Sequence, residues 1–199
     1  MEDYITMFDG HEIFPATAKL NEQKHLVLGG CDSVELVQEY GTPLYVYDED
    51  TLRGMCREFV EAFGRAKGVN SKILYAAKAF INPAIAEIVS EEGLGMDVVS
   101  AGEIAVALAS GFPSERIYFH GNNKSQNELE VAIDSNVSKI VIDNFHEMEI
   151  LNKVALSKGI VQDALLRVSP GVDPHTHVKT TTGVLDSKFG LSIDTGDAA

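Results

Sequence analysis

Lys72-Ile73-Leu74-Tyr75-Ala76-Ala77-Lys78-Ala79-Phe80 is an apolar run of strand length that ends on Lys78 and then continues apolar. Desolvating an ammonium group is costly, so apolar surroundings favour the neutral amine, a nucleophile that can condense with a carbonyl. The sequence therefore predicts a lysine held dry at the end of a strand. The plainer alternative is a lysine whose stem packs against apolar neighbours while its head stays in water.

Other polar residues fall at matching places. Asp48, Ser100, His120, Asp143 and Ser169 each follow a short apolar run, while Asp97 and Arg167 stand in or at the end of one. Polar groups gathered after parallel strands suit the active face of a β/α barrel, and suit the crevice of an open sheet nearly as well. Asp97 can orient a neighbouring amine or serve only as a strand-end acceptor. Arg167, if it points inward, needs an anionic partner. His175 and His177 are one residue apart, and on a strand they would share a face, with Asp173 and Asp186 nearby. Their spacing matches no zinc class, so no metal is expected. Gly29-Gly30 and Gly93-Leu94-Gly95 follow no phosphate-loop pattern and read as turns.

The elements that must position these groups alternate. Apolar strands are expected at Leu44–Asp48, Ile73–Ala77, Met96–Val99, Arg116–His120, Lys139–Asp143 and Ala164–Val168. Between them lie helical stretches from about Asp50 to Arg65, after Asn82-Pro83, after Ser100, from Ser125, and from Asn144 to about Lys158. Glu103, three residues after Ser100, completes a capping-box pattern. Strands apolar on both faces at this spacing predict a parallel sheet, buried on both sides, in an α/β fold. A doubly wound sheet and a closed barrel both fit the alternation.

Before residue 42 the pattern differs. Thr17–Leu20 and His25–Leu28 flank the polar Asn21-Glu22-Gln23-Lys24 as a hairpin would, and Ser33 is placed to cap a helix through Tyr40. Domain boundaries of 1–41 and 42–199 follow, the first a β segment of a separate domain. A complete eight-stranded barrel takes about 200–250 residues, so the barrel in 42–199 is expected to be incomplete.

The formal charge of −14 and pI near 4.7 argue against nucleic-acid and anionic-membrane partners. Met1-Glu2-Asp3-Tyr4 lacks the features of a signal peptide, and no run approaches a membrane span. Cys31 and Cys56 share no redox or zinc spacing. A cytoplasmic protein with reduced thiols is expected.

Several words of the sequence resemble the diaminopimelate decarboxylases. They are Gly41-Thr42-Pro43-Leu44-Tyr45-Val46-Tyr47-Asp48, Tyr75-Ala76-Ala77-Lys78-Ala79 and Asp97-Val98-Val99-Ser100-Ala101-Gly102-Glu103. His120-Gly121-Asn122-Asn123-Lys124-Ser125, Leu166-Arg167-Val168-Ser169-Pro170-Gly171-Val172 and the stretch from His175-Thr176-His177 to Lys188-Phe189-Gly190 continue the series. The resemblance implies a TIM-like, pyridoxal 5′-phosphate-binding barrel, preceded by strands of a second β-domain. It makes Lys78 the residue that forms a Schiff base with the cofactor, with Asp97 and Arg167 beside it, while His120 and Asn123 at the fourth strand's end either line the cofactor pocket or order the loop. It also implies a small amino-acid substrate, decarboxylation of meso-2,6-diaminopimelate to L-lysine, and a homodimer for the full-length family. Decarboxylases of ornithine, arginine or carboxynorspermidine are the alternative, as is a non-catalytic barrel that only carries the cofactor. The family's phosphate cradle, ring-nitrogen partner and substrate-binding arginine are expected beyond Ala199, so the chain alone is expected to be inactive.

Overall fold

The computed structural model describes residues 13–66, 68–172 and 189–198. The chain divides into two compact units, Met1–Ser71 and Lys72–Ala199.

In the first unit, β1 (Lys19–Leu20), β2 (Leu26–Leu28) and β3 (Cys31–Asp32) form an antiparallel sheet in that order. The expected hairpin pairs Lys19 with Val27 and Leu20 with Leu26. Gly29 and Gly30, at φ 56° and 84°, make the left-handed turn into β3, a conformation that favours glycine. Helix α1 (Ser33–Tyr40) is capped by Asp32, whose carboxylate accepts from the Val34 N–H at 2.8 Å, and not by Ser33. Helix α2 (Glu49–Gly64) follows.

Asp48 caps α2 and is buried, where it ties three segments together. Its carboxylate accepts from the Thr17 hydroxyl at 2.6 Å, and from the Thr51 N–H at 2.8 Å and hydroxyl at 2.5 Å. Thr17 in turn accepts from the Gly29 N–H, and Thr51 from the Ala16 N–H. Asp48 is thus a structural node of this unit rather than one of the strand-end polar groups. The expected strand Leu44–Asp48 joins no ladder among the described residues, and Tyr45 is 87% exposed. An apolar run becomes a strand only where a neighbour offers backbone partners, so propensity alone does not form one here.

The second unit holds the alternating pattern. Its elements are β4 (Leu74–Ala76), α3 (Pro83–Glu91), β5 (Gly95–Val98), α4 (Ala101–Ala109), β6 (Ile117–Phe119), α5 (Gln126–Asp134), β7 (Lys139–Ile142), α6 (Phe145–Lys158), β8 (Ala164–Leu166), β9 (Val168–Ser169) and β10 (Leu191–Ser192). Strands β4 to β8 pair side by side in chain order, all parallel. The strand order never reverses, and each helix from α3 to α6 touches the next in a single layer. A doubly wound sheet would show a switch point with helices on both faces. This is the arrangement of barrel staves, which do not close among the described residues.

Local signals explain the helix starts. Asn82, Ser100, Ser125 and Asn144 each accept from the backbone N–H three residues on. At α5 the box is reciprocal, because Glu128 returns to the Ser125 N–H at 3.0 Å. Glu103 departs from the expected box. It reaches one residue further back, to the Val99 N–H at 2.7 Å.

Met96, Val98, Ile117, Phe119 and Ile140 of the sheet and Ile104 and Leu129 of the helices are the largest fully buried side chains. Each such burial is worth about 1.5–3 kcal/mol, set against chain entropy. Gly95 is fixed by packing, since a Cβ there would meet the Leu74 side chain and lie 2.7 Å from the Arg116 carbonyl. Strand β8 does not have the expected burial on both faces. All three of its residues are exposed, Leu166 by 50%.

At Arg167 the last staves change partners. Its N–H donates to the Ile142 carbonyl at 2.9 Å, and its carbonyl accepts from the Leu191 N–H at 2.8 Å. The strand that begins as β8 beside β7 therefore continues as β9 beside the parallel β10. Strand β10 has only two residues after Gly190, too short for a periodic signal to reveal it.

Candidate active site

Lys78, Asp97, His120 and Arg167, from four separate places in the sequence, line one cleft of about 450 Å³ together with Val99, Gly121, Asn122, Asn123 and Phe189. All of these residues lie at or just past the C-terminal ends of parallel strands except Phe189, which precedes β10. That volume falls in the range of about 300–1,000 Å³ typical of small-ligand sites.

Lys78 sits in the single 3₁₀ turn Ala77–Ala79 that follows β4. The expectation of a dry amine is corrected, because Lys78 is exposed. Its strand is the edge of the five-stranded sheet, and among the described residues it pairs only with β5. The amine stands at the cleft without being enclosed by it.

Asp97 lies in β5, where alternation sends it to the face opposite the fully buried Met96 and Val98. Its Oδ1 is buried with no hydrogen-bond partner and lies 3.6 Å from His120 Nε2, beyond hydrogen-bond length. Burial pushes the Asp97 carboxyl above the usual range, against the pull of His120, Lys78 and Arg167. Burial likewise pushes His120 below the usual imidazole range. Asp97 opposes that shift, while Arg167, Lys124 and Lys78 add to it.

Arg167 has the anionic partner it needs. Its Nη1 lies 3.1 Å from the Oδ1 of buried Asp143, and its guanidinium stacks 4.2 Å from the Phe189 ring centroid. Among the remaining strand-end groups, Ser100 is spent as a cap and Ser169 is buried in β9. His175, His177, Asp173 and Asp186 lie outside the described residues. Reading the sequence missed Phe189 and the Asp143–Arg167 pair, which only the fold brings together. It also missed the buried pair of Lys124 and Glu147.

The profile of the family described as "Pyridoxal-dependent decarboxylase, pyridoxal binding domain" matches residues 49–199. The chain belongs to this family. Diaminopimelate decarboxylase of Bacillus methanolicus is 46% identical over 185 residues, covering 93% of this chain and 43% of the relative. That of Bacillus subtilis is 47% identical over 180 residues, covering 90% and 41%. Among solved structures, diaminopimelate decarboxylase from M. jannaschii in complex with L-lysine superposes with a TM-score of 0.83 at 34% identity, covering 92% of this chain and 43% of that one. The Helicobacter pylori enzyme complexed with L-lysine gives 0.75 at 34% identity, covering 83% and 41%. The chain thus spans about two fifths of the length of the curated relatives it matches.

The family's cofactor is pyridoxal 5′-phosphate, and the cleft suits it. An anionic aromatic aldehyde needs an accessible amine, cationic neighbours and a polar group not already engaged. Lys78, Arg167 and the unpartnered Asp97 oxygen offer all three. No helix among the described residues is long and apolar enough to cross a membrane.

Proposed function

We propose that this chain is the cofactor-carrying N-terminal part of an enzyme that converts meso-2,6-diaminopimelate to L-lysine and CO₂. The convergence of Lys78, Asp97, His120 and Arg167 on one cleft supports this reading most strongly. The relatives' name supports the substrate.

When bound, pyridoxal 5′-phosphate supplies the electron sink that makes loss of CO₂ from an amino acid feasible. Lys78 provides the amine that holds the aldehyde and, once released, a base or acid at its Nζ. Asp97 and His120 form a polar wall beside it. Asp97 offers a carboxylate oxygen free to accept from Lys78 or from the cofactor. His120, biased by burial toward its neutral form, presents an uncharged imidazole to the cleft. Arg167, held by Asp143 and stacked on Phe189, contributes fixed positive charge.

In this proposal residues 1–41 belong to a second β-domain and 42–199 to the barrel. The protein acts as a homodimer in the cytoplasm, within lysine biosynthesis. The test is CO₂ release by the complete product of the reading frame, supplied with meso-diaminopimelate, ornithine or arginine. Turnover of diaminopimelate that is lost in Lys78→Ala is expected. Preference for ornithine or arginine would refute the substrate, and full activity of Lys78→Ala would refute the mechanism.

A further inference from the structure

We propose that Lys124 is a positioning residue that fixes the Gly121–Asn123 loop as one wall of the cofactor cleft. The role rests on the cleft being the cofactor site. Gly121, Asn122 and Asn123 line that cleft, while Lys124 turns away from it into the interior, its side chain only 1% exposed.

The Lys124 ammonium donates to two backbone carbonyls and forms an ion pair with a carboxylate, so groups from three different segments meet it here. The Gly121 carbonyl is 2.6 Å away, the Val141 carbonyl of β7 2.8 Å, and Oε1 of Glu147 in α6 2.8 Å, with the Glu147 side chain 3% exposed. The Phe119 ring lies 5.5 Å from the same nitrogen. The loop is held at its other end too. Gly121, at φ 115°, packs so closely that a Cβ would lie 3.3 Å from the Val99 carbonyl, and Val99 is itself a cleft residue.

A buried ion pair is a weak source of stability, because apolar groups of similar size often serve as well. What an apolar pair does not supply is direction. Lys124 draws the Gly121 carbonyl inward, and peptide planarity then turns the Asn122 N–H to the opposite side. The pair therefore fixes the orientation of the loop, beyond filling space beneath it.

The test compares the complete product of the reading frame with its Lys124→Met and Lys124→Met/Glu147→Leu variants. It reads thermal midpoint, hydrogen exchange of the 121–125 amides, and affinity for pyridoxal 5′-phosphate. The single variant is expected to lower the midpoint and to speed exchange of the loop about tenfold or more. The double variant, which removes the orphaned carboxylate, is expected to recover the midpoint while the loop stays fast and cofactor affinity stays about tenfold weaker. Recovery of loop protection and affinity along with the midpoint would overturn the proposal, leaving Lys124 only a counter-charge for Glu147. Unchanged loop exchange in the single variant would overturn it as well. If the complete product of the reading frame takes up no cofactor, the cleft reading fails, and the exchange comparison still decides whether Lys124 holds the loop.

Discussion

Asp97 Oδ1 lies 3.6 Å from His120 Nε2, close enough for charge to be felt and too far for a hydrogen bond to satisfy either group. A buried acceptor without a donor costs stability, about 1–3 kcal/mol where it is fully sealed. This atom lies in the cleft beside Lys78 and Arg167, open to a donor.

Asp97→Asn is therefore expected to raise the thermal midpoint slightly while weakening cofactor uptake. The amide removes a buried charge and can turn an N–H toward His120. A gain of up to about 1 kcal/mol is expected by denaturant titration. A marked loss of stability would mean that the carboxylate already has the partner it needs.

His120 and Asp97 pull the pH dependence in opposite directions. His120 sits below its ordinary range in the folded chain, so as pH falls through that range the unfolded chain gains a proton that the folded chain refuses. Stability is lost on that descent. Asp97 sits above its ordinary range, so the folded chain takes up its proton first, and further acidification relieves the cost of its charge. Midpoints recorded from about pH 7 to pH 5 should fall less steeply in His120→Gln than in the wild type. Identical slopes would contradict the assigned shift.

Gly95→Ala should be severely destabilising although the change is one methyl group. The new Cβ would press on the Arg116 carbonyl, which is backbone and cannot swing aside. A loss of about 1–3 kcal/mol is expected, with poor recovery of soluble protein. Near-normal stability would show that β4, β5 and β6 can spread without cost.

Arg167→Met is expected to leave Asp143 buried without its counter-charge. Breaking one side of such a pair costs roughly 3–5 kcal/mol when both partners are buried, and less here because the Arg167 side chain is 30% exposed. Arg167→Met/Asp143→Leu should recover much of the stability and none of the cofactor affinity. Recovery of both would reduce Arg167 to a structural role.

Much of this arrangement is legible in the amino-acid sequence. Alternating apolar runs gave the second unit's strands to within a residue or two, and the caps at Asn82, Ser100 and Asn144 were readable from side-chain chemistry alone. Lys78 and His120 stood among the polar groups at strand ends, the family resemblance singled out Lys78, Asp97 and Arg167, and the fold brings all four to one cleft. What escaped depends on contacts distant in sequence. Leu44–Asp48 has strand composition but joins no ladder, and β10 is defined only by its pairing with β9. The exposure of Lys78 follows from β4 being an edge, which its apolar flanks do not reveal. Lys124 and Glu147 carry no pattern that links them, and only the crossover from β6 through β7 to α6 brings them within 2.8 Å.

The most direct test of the account is borohydride reduction of the chain in the presence of pyridoxal 5′-phosphate, followed by peptide mapping. A single modified lysine, Lys78, is expected, with no corresponding modification in Lys78→Ala. A label on another lysine, or equal labelling of the variant, would contradict it.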